Sequence, residues 1–170
     1  KRYRSGDAGQ ATAKRFSDRR TLLRQTSSAR RLDDALVNFS YFLLSGRHET
    51  SRTFLASTGF ASEAEFRDTI EATFKDGMSW NNYGSTWSIE HKIPRQAYDF
   101  DNQEDVRRCW SPRNVQALST EANLSKSWKL VDQSLVESGV ENFPVSWNGA
   151  FPDQDFKNEH AARMMARNMI

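Results

Sequence analysis

The stretch "WSIEHKIP", residues 87–94, decides how this chain is read. Trp87 and Ile89 alternate with Ser88 as a short strand, and Pro94 ends it because proline cannot donate to a ladder. Glu90 and His91 sit side by side at the end of that strand. A structural histidine needs only one satisfied neighbour, whereas a catalytic one needs a metal, a substrate and a held orientation. Adjacent strand residues point to opposite faces, so Glu90 and His91 can hardly both be ligands of one ion.

Outward from this stretch the pattern changes twice. Upstream, Asn81, Asn82 and Gly84 make a turn. Before it, residues 62–77 read as a helix with a Ser62–Glu65 capping box, Phe66, Ile70 and Phe74 on one face, and Gly77 as its stop. Further upstream, Leu32, Ala35, Leu36, Phe39, Phe42 and Leu43 share one helical face, with Ser27 or Ser28 as N-cap and Gly46 past the end. Downstream, "DNQEDVRRCW" (101–110) reads as a short helix capped by Asp101 or Asn102, and "NVQAL" (114–118) as a second strand. "STEANLSKSWKLV" (119–131) reads as a helix opened by Ser119 or Thr120, with Glu121 well placed against the N-terminal dipole. Residues 139–153 are loop-rich, and a last helix over 155–169 is expected to pack Phe156, Met164 and Met165. No repeats or low-complexity segments interrupt the chain. The fold class expected is α+β.

Strand, loop, strand and helix thus carry Glu90, His91, Asn114 and Asn123 in order. Taken together, "GMSWNNYGSTWSIEHKIP" (77–94), "CW" (109–110), "NVQAL" and "EANLSK" (121–126) resemble the HNH (ββα-metal) endonucleases, specifically the H-N-N variant of phage-type and intron-homing enzymes. The resemblance covers residues 54–130, including the helical lead-in. It implies a metal-dependent DNA endonuclease that hydrolyses phosphodiester bonds. His91 would be the general base, Glu90 and Asn123 would hold one divalent ion, and Asn114 would tie down the loop that carries the histidine. The chemistry suits these residue types: imidazole has a fitting intrinsic pKa for activating water, and one hard cation neutralises charge on phosphate and leaving oxygen. Glu90 stands where Asp is commoner, Ala117 where Pro is usual, and Ser119-Thr120 where Trp-Ala is usual. Asn123 in place of a final histidine favours Mg²⁺ or Mn²⁺ over zinc. One such unit has one active site, so cutting both strands needs a dimer or two sequential nicks.

Composition bounds the rest. The 170 residues are enough for one domain with a core. Mean hydropathy is −0.78, and "YFLLSG" (41–46) is far too short to cross a bilayer, so no membrane role is expected. No segment joins a basic stretch to a long apolar run, so no secretory signal is expected. The single Cys109 excludes an internal disulfide and a CxxC zinc knuckle, and fits an intracellular protein. Residues 1–31 carry ten Lys or Arg against Asp7 and Asp18, a net +8. That leaves −6 for the other 139 residues of a chain whose total is +2. A basic arm on a mildly acidic body points to a polyanionic partner, here double-stranded DNA. Arg19, Arg20, Arg30 and Arg31 on the arm, with Lys126, Arg113, Lys92, Arg95 and Lys129 near the site, are the candidate phosphate contacts. The organisation expected is an arm and amphipathic helix over 1–50, a nuclease core over 51–130 and a C-terminal extension over 131–170. Trp80, Tyr83, Trp87 and Trp110 are expected in the core, Cys109 as a small buried hydrophobe, and His48 and His160 as structural or surface residues. The rival reading is an inactive HNH-derived nucleic-acid-binding or structural subunit of a larger assembly.

Overall fold

Trp87 drives the first strand inward. It is fully buried, and its indole Nε1 donates to the Ser79 carbonyl at 2.8 Å. The computed structural model describes residues 36–38, 40, 52–75 and 77–169 of the chain. Strand β1, Trp87–His91, pairs antiparallel with β2, Val115–Ser119, in the register Trp87↔Ser119, Ile89↔Ala117, Glu90↔Gln116 and His91↔Val115. These two strands form the one sheet among the described residues, set among helices, so the fold is a small α+β arrangement.

Helices α1 (Arg52–Ser57) and α2 (Glu63–Glu71) precede the sheet. Ser62 caps α2, its Oγ accepting from the Glu65 N–H at 3.1 Å. Glu65 reaches back to the Ala61 N–H at 2.6 Å, one residue past the Ser62 donor that a full capping box uses. The helix also stops at Glu71 rather than near Gly77. Phe74 leaves the helical path to pack on Trp80 and Trp87, with ring centroids 5.0 and 4.7 Å away. Aromatic burial outweighs the few backbone bonds that another helical turn would add. Thr73 joins α2 to the sheet, its Oγ1 accepting from the Ala117 N–H and donating to the Ile70 carbonyl, both at 2.7 Å.

The link between the strands carries α3, Gln103–Cys109, capped by Asn102, whose Oδ1 accepts from Glu104 N–H at 2.9 Å. After β2 the chain enters α4, Thr120–Lys126, directly, with Ser119 as N-cap. This helix ends five residues earlier than the 119–131 stretch predicts. Ser127 takes a left-handed φ of 50°, and the chain restarts as α5, Asp132–Ser138, which has no counterpart in the sequence reading. Short 3₁₀ turns occupy much of the loop-rich stretch after it, followed by α6, Gln154–Met169.

The core gathers Phe66 and Ile70 of α2, Trp87, Val115 and Ala117 of the sheet, and Val106, Cys109 and Trp110 of α3 and its end. Leu135, Phe143 and Trp147 of the C-terminal extension join the same cluster. Burying a side chain such as Phe66 or Ile70 contributes about 1.5–3 kcal/mol relative to exposure. Trp80 and Tyr83 are half-buried at the edge of this cluster. Met164 of α6 is buried, but Met165 is 55% exposed, because successive helical positions lie 100° apart and only one of the two can face inward. His160 is buried, its Nε2 3.1 Å from the Trp128 carbonyl. Of the upstream amphipathic helix, residues 36–38 and 40 are described and helical, and Leu36 enters the core. The remainder of that helix, the basic arm with Arg19, Arg20, Arg30 and Arg31, and His48 lie outside the described residues. Among the described residues, no helix is long and apolar enough to cross a membrane.

Candidate active site

Glu90 and His91 lie where β1 ends, and both line one polar cavity of about 200 Å³ together with Ile89, Pro94, Arg95, Gln96, Asn123 and Ser127. Both residues border the cavity at the end of the strand, yet their side chains meet different neighbours, as strand alternation predicts: Glu90 meets Gln116 and Lys126, and His91 meets Trp110. The sheet brings Glu90 and His91, α4 brings Asn123, and the turn after β1 supplies Pro94 and Arg95.

His91 is 8% exposed and packs against Trp110, with ring centroids 4.6 Å apart and planes at 87°. Its Nε2 is buried and has no hydrogen-bond partner. Burial holds its pKa well below the usual histidine value, and the nearby Arg95 and Lys126 charges push it the same way. Burial therefore favours the neutral form of the imidazole.

Behind His91 stands Asn114, fully buried in the turn just before β2. Its Oδ1 accepts from the Ile93 N–H at 2.9 Å and from the Ser138 hydroxyl at 3.0 Å. Its Nδ2 donates to the Cys109 carbonyl at 2.7 Å and, longer, to the Ile93 carbonyl at 3.4 Å. The Lys92 N–H adds a bond to the Asn114 carbonyl at 2.7 Å. One amide side chain thus fixes the turn that follows the histidine, while the ring itself is steadied by Trp110.

Glu90 is 3% exposed and fully engaged. Its Oε1 lies 2.6 Å from the Lys126 Nζ, and its Oε2 accepts from the Gln116 Nε2 at 2.8 Å. Lys126 also donates to the His91 carbonyl at 3.0 Å. Asn123, half-buried on α4, donates from Nδ2 to the Ser88 hydroxyl at 2.8 Å, so that its amide oxygen is the atom a metal would use if Asn123 is the ligand that the resemblance implies. The helical spacing that puts Lys126 three residues after Asn123 thus delivers both to β1.

The other candidate cations have partners of their own. Lys92 pairs with Glu137 at 3.6 Å, Arg113 pairs with Glu141, and Lys129 donates to the Ser125 carbonyl at 2.8 Å. Arg95 lines the cavity. Sequence reasoning passed over Gln116, Ser88 and Ser138. The first two were findable once the strand register was drawn, since Gln116 sits opposite Glu90 and Ser88 shares a strand with it. Nothing in the sequence pointed to Ser138, which reaches Asn114 from a helix 24 residues on.

A divalent ion is implied by the HNH resemblance. Among the described residues no group of three or more His, Cys, Asp or Glu converges on a common point. A ligand set of one carboxylate and one amide oxygen is different in kind. It fits a hard ion that keeps several waters, as Mg²⁺ does.

Comparison with known proteins adds one relative. Over 70 residues the chain is 34% identical to "Uncharacterized protein L426" of Acanthamoeba polyphaga mimivirus, covering 41% of this chain and 31% of that protein. The chain therefore matches less than a third of that relative's length. No family model matches, and no solved structure does.

Proposed function

We propose that this chain is a metal-dependent DNA endonuclease of the HNH (ββα-metal) type, in its H-N-N variant. The observation that carries the reading is a buried, neutral His91 with an unpartnered Nε2, on a turn braced by Asn114, in the same polar cavity as Glu90 and Asn123. In this reading His91 takes a proton from the water that attacks the scissile phosphate. A neutral imidazole is the form that does this. Asn114 and Trp110 hold the base in place. Glu90 and Asn123 hold one Mg²⁺ or Mn²⁺, which supplies charge neutralisation for the phosphate and the leaving oxygen. The products are a 5′-phosphate and a 3′-hydroxyl. Affinity for duplex DNA comes from phosphate contacts, with the +8 arm of residues 1–31 as the principal source. A homing or phage-encoded role follows from the resemblance.

The rival reading, a DNA-binding or structural subunit that does not cut, has one observation in its favour. Both oxygens of Glu90 already have partners within the protein. Plasmid DNA incubated with Mg²⁺ or Mn²⁺ separates the two. The wild type should nick or linearise it, and His91→Ala should be slower by about a hundredfold or more, the typical contribution of a general base. Cutting by both proteins, or by neither, defeats the catalytic assignment.

A further inference from the structure

We infer that Lys126 is a built-in cation for the Glu90 carboxylate, which a divalent ion has to displace in order to bind. This deepens the metal-site reading above and rests on it. Three observations carry it. The Lys126 ammonium is 2.6 Å from Glu90 Oε1 and 3.0 Å from the His91 carbonyl, so it takes two oxygens of β1. The two side chains are 9% and 3% exposed, so the pair is desolvated and little screened by solvent or salt. Gln116 occupies the other carboxylate oxygen at 2.8 Å, so Glu90 offers no unengaged oxygen while Lys126 stays.

An ammonium and a divalent ion repel strongly at the few ångströms that a shared carboxylate imposes. They therefore compete, and the lysine sets how weakly the free protein holds the ion. The flexible four-carbon stem lets the ammonium leave without unwinding α4, of which Lys126 is the last residue. Neutralising the lysine turns a satisfied carboxylate into a buried uncompensated one, which gains far more from an incoming ion.

The test is Mn²⁺ binding to the DNA-free protein, read from the electron-spin-resonance signal of free Mn²⁺. Lys126→Met should bind about tenfold tighter than the wild type or better. Lys126→Arg, which keeps the charge, should stay within about threefold of it. Glu90→Gln should remove the binding. If Lys126→Met binds no tighter than the wild type while Glu90→Gln still abolishes binding, the lysine inference is overturned and the ion site stands. If Glu90→Gln changes nothing, or no variant binds Mn²⁺, the ion does not sit at Glu90 and both readings fall. Should Lys126→Met unfold without metal, recovery of its far-ultraviolet circular dichroism on adding Mn²⁺ supports the inference, and failure to recover overturns it.

Discussion

At the scale of single residues, Asn114 does the most with the fewest atoms. Its side chain satisfies an N–H, a hydroxyl and two carbonyls, all buried. Asn114→Ala leaves those groups unpaired and should cost about 3–5 kcal/mol, since each orphaned buried group costs about 1–3. Urea unfolding measures this, and a loss under 1 kcal/mol would mean that the turn after His91 is held by something else. Tyr98 makes a second, pH-dependent case. Its hydroxyl donates to the Asn142 carbonyl at 2.7 Å, and burial pushes its pKa well above the usual tyrosine value. The folded state therefore keeps the proton at a pH where the unfolded chain has lost it. That stabilisation is complete below about pH 10 and is lost as pH rises from there towards the folded value. Tyr98→Phe should lose about 1 kcal/mol at pH 7 and show a shallower decline of stability in alkali. Melting curves at pH 7 and pH 11 decide it, and equal declines in both proteins would rule Tyr98 out as the cause.

At the scale of elements, Thr73 is the joint between α2 and the sheet. Thr73→Val keeps the shape but leaves the Ala117 N–H without its acceptor, at a cost of about 1–3 kcal/mol. Thermal unfolding of the pair of proteins tests it, and an unchanged midpoint would show the joint to be idle. The same elements show what a reader of the sequence can and cannot see. Both strands and the Ser62 cap were legible, and Asn102 and Ser119 were each one of two candidate caps, because period-2 alternation and capping side chains act over a few residues. The true end of α2 was not, because Phe74 leaves it for Trp80 and Trp87, two partners known only in three dimensions. Nor was the break between α4 and α5. "ANLSKSWKLVDQSLV" keeps a helical rhythm, yet Ser127 turns left-handed without a glycine or proline to announce it. In the candidate site, Glu90, His91, Asn114 and Asn123 were legible as a motif. The Lys126–Glu90 pair was not, because no local pattern joins residues 36 apart.

At the scale of the whole molecule, the C-terminal extension is part of one core rather than an appendage. Leu135, Phe143 and Trp147 are buried in the same cluster as Phe66, Trp87 and Trp110. Asp105 ties the two halves further, accepting from the Asp99 N–H at 2.9 Å on one oxygen and from the Val145 N–H at 2.7 Å on the other. A chain ending at residue 130 loses three large apolar side chains from the core, each of which contributes about 1.5–3 kcal/mol or more. Against a typical margin of about 5–15 kcal/mol, such a chain should not melt cooperatively. A sharp calorimetric transition from it would show that residues 51–130 stand alone.

The hydroxyl that Ser138 lends to Asn114 reaches back from beyond both strands and α4. A chain still emerging from the ribosome would present the histidine turn long before the prop beneath it had been synthesised. The order of translation itself thus delays the moment when the imidazole can be held steady.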